Sequence, residues 1–278
     1  AVDTSGNVYV TGYSYGSGSD WDYATIKYAP NGDTLWVRRY DGPGISANYA
    51  RALAVDNNGN VYVTGSSVGT GPGYDYTTIK YAPGGDTLWV RRYNGPGNSV
   101  DYANALALDK NGNVYVTGFS FGSGSGYDYA TIKYNSSGIQ QWIMRFDNNG
   151  ATDRSVKVLA GISGNVYVTG RSDNGTDDDF VTIKYSTSGI QMWMSTLDNG
   201  DNDKADAMAM DASENLYVTG RSSDGTYDDI LTVKYNSSGT EQWVGGVIYD
   251  GPGQNDDRPN AIAVDESGNV YVAAKCDV

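Results

Sequence analysis

Asp109-Lys110-Asn111-Gly112-Asn113-Val114-Tyr115-Val116-Thr117-Gly118 reads as a turn followed by a strand, and the chain repeats it with small changes six times. The closing glycine falls at Gly12, Gly65, Gly118, Gly170 and Gly220. The sixth copy ends at Ala274, so the intervals are 53, 53, 52, 50 and 54 residues. Asp and Asn bond their own backbone and Gly takes positive φ, so Asp-x-x-Gly-Asn makes a tight turn. The Val-Tyr-Val-Thr alternation after it is β-branched and aromatic, as a strand requires. A period of this length marks an array of small β units, with propeller blades as the first candidate.

Working outward, the unit spanning 101 to 147 predicts four strands. Ala103 to Leu108 is a small-residue inner strand, Val114 to Phe119 the second, Asp128 to Tyr134 the third, and Gln140 to Phe146 an outer strand containing Trp142. The third strand recurs as DYATIKY at 22–28, DYTTIKY at 75–81, DFVTIKY at 179–185 and DILTVKY at 229–235. The outer strand recurs around Trp36, Trp89, Trp193 and Trp243. Four hairpin-linked antiparallel strands per repeat predict an all-β chain, a β-propeller of four-stranded blades with a repeat of ~52 residues.

The expected organisation is one propeller domain over 1–278, with units near 1–48, 49–101, 102–153, 154–203, 204–257 and a partial sixth at 258–278. The second strand occurs six times and the third and fourth five times, so a closed ring of five to seven blades has two routes. Either Ala261 to Val264 supplies the missing inner strand of the first unit, giving five blades, or the ring is a longer one. Because Ala1-Val2-Asp3 matches Ala54-Val55-Asp56, the chain is expected to begin inside a repeat.

These phrases, a VDxxGNVYVTG turn and strand, a strand ending in IKY and a Trp-bearing strand, resemble the SBBP-type bacterial β-propeller repeat family over essentially the whole chain. The resemblance implies the propeller fold and leaves function open, since propellers host binding, catalytic and scaffolding roles alike. Three departures stand out: Gly161 replaces the turn Asp, Glu214 the turn Gly, and Ala273-Ala274 the last Thr-Gly.

The 278 residues carry 19 Lys and Arg against 33 Asp and Glu, a formal charge of -14, which disfavours nucleic acid and anionic membranes as partners. Without histidine and with one cysteine, Cys276, the chain excludes His-dependent catalysis, an internal disulfide and Cys/His metal sites. No apolar run is long enough to insert into a membrane as a helix. A secreted or cell-surface location is expected.

The recurring Asp-x-x-Gly-Asn turn brings one carboxylate per five residues, so an Asx-type turn explains it better than a calcium loop. The Asp and Lys of every third strand, and the tryptophans, repeat too often to form one active site and are expected to tie blades together. Function belongs instead on the long variable loops, which a propeller collects on one face. In the first three units these carry Tyr13, Tyr15, Trp21, Tyr74, Phe119, Phe121 and Tyr127, a set suited to stacking on sugar rings. In the next two they carry Asp173, Asp177, Asp178, Asp224 and Asp228, carboxylates suited to calcium as a cofactor. The expected function is a non-catalytic binding or scaffold module that contacts a glycan or protein surface. The alternatives are a polysaccharide-acting enzyme using loop-face Asp residues, with no catalytic residue nameable, and an assembly subunit that self-associates through its terminal strand.

Overall fold

The computed structural model describes residues 1–16, 20–44, 46–69, 71–253 and 255–276. The repeated phrase becomes the hairpin that opens each blade. The first sheet has β1 (Val8–Tyr15), β2 (Trp21–Tyr28) and β3 (Thr34–Tyr40). The second has β4 (Asn48–Val55), β5 (Val61–Val68), β6 (Tyr74–Tyr81) and β7 (Thr87–Tyr93), and the third β8 (Asp101–Leu108), β9 (Val114–Phe121), β10 (Tyr127–Tyr134) and β11 (Gln140–Phe146). The fourth has β12 (Asp153–Ala160), β13 (Val166–Asp173), β14 (Asp178–Tyr185) and β15 (Gln191–Leu197). The fifth has β16 (Asp203–Met210), β17 (Leu216–Ser223), β18 (Asp228–Tyr235) and β19 (Val247–Tyr249), and β20 (Asp257–Val264) pairs with β21 (Val270–Cys276) in the last. Every pairing is antiparallel and follows chain order.

Each turn Asp behaves as its sequence predicts. Asp109 Oδ1 accepts the Asn111 and Asn113 N–H groups at 2.9 Å, and Oδ2 accepts the Asn113 side chain at 2.7 Å and the Tyr115 hydroxyl at 3.0 Å. The same donors surround Asp3, whose carboxyl is held down to about 2, chiefly by the Asn7 side chain. The acceptor oxygens are used up inside the turn, so no calcium loop forms there. The closing glycine has its own cause: the inner strand bulges between Ala103 and Ala105, and a Cβ on Gly118 would collide with the Tyr102 carbonyl.

The two departures at Gly161 and Glu214 prove to be one substitution shared between blades. The fourth blade's turn has no Asp, and Glu214 of the fifth reaches into it. Its carboxylate accepts the Ser163 N–H at 2.7 Å, the Ser163 hydroxyl at 2.8 Å and the Tyr167 hydroxyl at 2.7 Å. Gly161 leaves the space, since a Cβ there would meet the Glu214 carboxylate. Glu214 does this from a backbone φ of 58°, where glycine stands in the other copies.

The core lies between blades. Fully buried Tyr76 and Tyr129 donate their hydroxyls to the Ala130 and Val181 carbonyls of the following blade at 3.2 and 3.3 Å. Lys133 Nζ and Trp142 Nε1 both donate to the Thr187 carbonyl of the following blade, at 2.8 and 3.1 Å. Lys80 with Trp89 on Ser136, and Lys184 with Trp193 on Ser237, repeat the arrangement. The Lys and Trp residues of the first four blades are therefore the blade ties their repetition predicted, whereas Asp22, Asp75 and Asp128 pair with an arginine of their own blade.

Two expectations need correction. The outer strand of the fifth blade does not contain Trp243: two extra residues separate Trp243 from Tyr249, and Gly245 and Gly246 absorb them at φ of 75° and 71°, leaving only Val247–Tyr249 paired. Nor does Ala261 to Val264 complete the first blade. It pairs with β21, Ile262 opposite Val272, and packs on the fifth blade.

Candidate functional site

The first-to-second hairpins are tight, as are the third-to-fourth ones except in the fifth blade, where residues 236–246 separate β18 from β19. The second-to-third connections, expected to be long, are equally short, and only connections between blades run longer, both kinds emerging together at the opposite ends of the strands. That long-loop face carries two kinds of chemistry at equivalent backbone positions.

Across the first three blades the aromatic rings touch in one unbroken row. Trp21 meets Tyr13 with centroids 5.5 Å apart, Tyr13 meets Tyr49 at 4.9 Å, and Tyr49 meets Tyr74 at 5.9 Å. Tyr74 stacks on Tyr102 at 5.5 Å, Tyr102 meets Phe119 at 5.2 Å, and Phe119 meets Tyr127 at 5.2 Å. Tyr15 and Phe121 flank the ends against Trp21 and Tyr127. The row stops where the Arg154 guanidinium lies over Phe119 and Tyr127, 5.0 and 5.2 Å from their centroids. All seven aromatic residues singled out in the sequence are brought together, but on β1, β2, β6, β9 and β10 rather than in the loops to which the sequence assigned them. Tyr49 and Tyr102, the links between blades, were missed. Their signal is the residue before the inner-strand alanine, in NYARALAV and DYANALAL.

In the fourth and fifth blades the same positions carry ions. Asp178 pairs with Arg171 at 2.8 Å and Lys204 at 3.6 Å. Asp228 lies 3.7 Å from Arg221 and 3.8 Å from Arg258, while Arg221 also holds Asp206 at 2.9 Å. Asp173 Oδ1 accepts the Gly175 N–H, Asp177 Oδ1 the Asn174 side chain, and Asp224 Oδ1 the Thr226 and Tyr227 N–H groups. The five carboxylates proposed from sequence as calcium ligands therefore do not assemble as a set; turns and ion pairs occupy them.

Other carboxylates do assemble. At three successive blade junctions, the second residue of a third strand, the residue after the outer strand and the first residue of the next inner strand converge. They are Asp128, Asp147 and Asp153; Asp179, Asp198 and Asp203; and Asp229, Asp250 and Asp257, each set offering oxygens within 4.8 Å of one another. Burial pushes Asp203 up to about 6 against hydrogen bonds from Ser222 and the Asn199 N–H, and the Asp179 and Asp198 charges add to it. Burial pushes Asp153 up to about 6 in the same way, with Asp147 and Asp128 adding. Asp229 is raised by burial first and then by Asp250 and its other acidic neighbours. A cavity of about 240 Å³ at the last junction is lined by Asp224, Thr226, Tyr227, Asp229 and Asp250. A wider groove of about 660 Å³ lies on the tight-turn face around Asp56, Tyr62, Lys80 and Asp109, where the carboxylates are already bonded within their turns.

The family described as SBBP, beta-propeller repeat, matches residues 35–71, 88–120 and 247–275, each a stretch of strand and turn in register with the observed blades. Three stretches of the chain thus match the SBBP β-propeller repeat. The structure resembles the WD40 domain of Neurospora crassa Pan2 with a TM-score of 0.52 at 7% identity, covering 91% of this chain and 68% of that one. It also resembles a polysaccharide lyase, an ulvan lyase solved with -[GlcA(1-4)Rha3S]-, with a TM-score of 0.57 at 10% identity, covering 99% of this chain and 75% of that one. In sequence, an uncharacterized WD repeat-containing protein of Acanthamoeba polyphaga mimivirus is 24% identical over 201 residues, 54% of this chain, and the chain spans 14% of its length. At these identities the likeness speaks for the fold alone.

Proposed function

We propose that this propeller is a binding module of a secreted or cell-surface protein, and that it receives a glycan along the aromatic row of its long-loop face. The observation that carries the reading is the continuity of the row from Trp21 to Tyr127 over three blades. Blade packing does not require it: the fourth and fifth blades fill the same positions with Asp178, Arg171 and Lys204 and keep the same strands. Rings presented side by side offer apolar faces to the CH faces of sugars, and partly exposed tyrosines add hydroxyl donors. The test is a glycan array probed with the chain and with its Tyr49→Ala/Tyr102→Ala variant. The chain binds a family of saccharides and the variant, still folding cooperatively though less stable by about 2 kcal/mol, binds them at least about tenfold more weakly. A blank array for the unaltered chain sinks the sugar reading.

A second reading, a polysaccharide-acting enzyme, draws on the cavity that converges on Asp224, Asp229 and Asp250. Its size argues against it. At about 240 Å³ it is smaller than the ~300–1,000 Å³ of ordinary ligand clefts. The gathered carboxylates also approach within 4.8 Å, closer than the ~5–9.5 Å that places two carboxyl groups on either side of a glycosidic bond. Release of reducing ends from any array saccharide, abolished by Asp229→Asn, would establish the enzyme reading.

A further inference from the structure

We propose that Asp179, Asp198 and Asp203 at the junction of the fourth and fifth blades, and Asp229, Asp250 and Asp257 at the next, each hold a calcium ion. The first observation is convergence: each trio presents carboxylate oxygens within 4.8 Å of one another. The second is independent of clustering. Asp179, Asp203 and Asp257 are 5%, 0% and 0% exposed, and each keeps a buried Oδ1 that accepts no hydrogen bond. A buried carboxylate oxygen without a donor is costly, and a cation in the shared space removes that cost.

The earlier junctions of the same chain supply the comparison. There the outer strand sends an arginine to the third-strand Asp: Arg39 to Asp22 at 3.3 Å, Arg92 to Asp75 at 3.1 Å and Arg145 to Asp128 at 2.5 Å. In register, these arginines stand opposite Ala24, Thr77 and Ala130. The equivalent residues opposite Val181 and Leu231 are Thr196 and Ile248, which carry no charge. The first two junctions also have one acid fewer, with Asn48 and Asn94 in the trio positions. The third has three acids and keeps Arg145 on Asp128 Oδ2, although Asp128 Oδ1 and Asp153 Oδ1 stay buried without a donor there too. At the last two junctions three carboxylates remain and the guanidinium is gone. The nearby arginines are committed elsewhere, Arg171 to Asp178 and Arg221 to Asp206 and Asp228.

The donor set selects the ion. Only oxygens are offered, without thiolate or imidazole, which favours a hard cation over zinc. Monodentate or bidentate carboxylates drawn from two strands and one connection, at uneven spacing, suit the flexible coordination of calcium better than the strict octahedron of magnesium. The cavity of about 240 Å³ beside Asp229 and Asp250 leaves room for the coordinating waters.

Calorimetric titration of the chelator-treated full chain with calcium chloride tests this directly, without any saccharide present, so its outcome is separate from that of the glycan array. The expected isotherm shows two ions per chain, a higher unfolding midpoint with calcium, and a much weaker response to magnesium. Thr196→Arg, which restores the guanidinium of the earlier blades, removes one ion while leaving the metal-free midpoint equal or higher. Asp198→Asn, at an exposed member of the trio, weakens that ion at least about tenfold. Absence of calcium uptake at millimolar concentration overturns the proposal, as does an unchanged stoichiometry in Thr196→Arg or equal binding of magnesium.

Discussion

The position that opens a third strand on the long-loop face is Trp21, Tyr74 and Tyr127 in the first three blades and Asp178 and Asp228 in the next two. The second residue of the inner strand changes with it, from Tyr49 and Tyr102 to Arg154, Lys204 and Arg258. One half of the face is therefore a row of touching rings and the other a row of alternating ions, on strands that keep the same register. Arg154 is the seam, a cation lying on the last two rings. The lesson is that hairpins and interblade ties fix the backbone so completely that loop-face side chains change chemistry without changing the fold.

The comparison breaks most severely if the scaffold is not common to both halves. Gly118→Ala in the aromatic half and Gly170→Ala in the ionic half should each destabilise by about 3 kcal/mol or more, because both Cβ atoms would meet an inner-strand carbonyl, of Tyr102 or Arg154. Denaturant titration checks this, and clearly unequal losses would mean that the halves differ in more than their surfaces. Next in size is Arg92→Met, which leaves Asp75 without its guanidinium. Asp75 is already raised by burial in spite of Arg92, so a loss of about 2 kcal/mol at neutral pH is expected, shrinking as the pH is lowered and Asp75 takes up a proton.

The shared turn of the fourth and fifth blades gives a smaller and sharper test. Glu214→Gly removes three acceptor contacts and relieves a positive φ, for a net loss of about 1 kcal/mol. Gly161→Asp alone destabilises, because its side chain runs into Glu214. The double variant restores the pattern of the other copies and should recover most of both losses, a coupling of about 1–3 kcal/mol. Additive losses would refute the exchange between blades. Smallest in stability is Tyr74→Ala, expected to cost about 1 kcal/mol from two ring contacts while lowering saccharide binding more than Asp178→Ala does.

Much of this architecture was legible because it repeats. Asp109, Asn113, Tyr115 and Gly118 recur at fixed spacing, and their local hydrogen bonds and the bulge they accommodate need nothing beyond the hairpin. Trp243 misled for the opposite reason: the residue is retained, but a two-residue insertion after it moves the strand. The aromatic row was half legible. Tyr13 and Tyr74, near strand ends beside glycine-rich connections, announce themselves, whereas Tyr49 and Tyr102 lie in inner strands and matter only through a neighbouring blade. The carboxylate trios were the least legible, since each draws its members from a third strand, a connection and the next inner strand. Their residues are visible in sequence, but the meeting point is three-dimensional, and the conspicuous run Asp177-Asp178 is spent on Asn174, Arg171 and Lys204.

The lysine and tryptophan ties have a direction. In each pair the donor belongs to the earlier blade and the carbonyl to the later one, from Lys80 and Trp89 on Ser136 to Lys184 and Trp193 on Ser237, and the hydroxyls of Tyr76 and Tyr129 run the same way. These ties are thus polar, while Arg92, Arg145 and Ser155 donate back to Tyr40, Tyr93 and the Gly118 carbonyl of the preceding blade. Removing a blade from the amino-terminal side orphans a carbonyl, which water satisfies easily; removing one from the carboxyl-terminal side orphans a half-buried ammonium and an indole N–H.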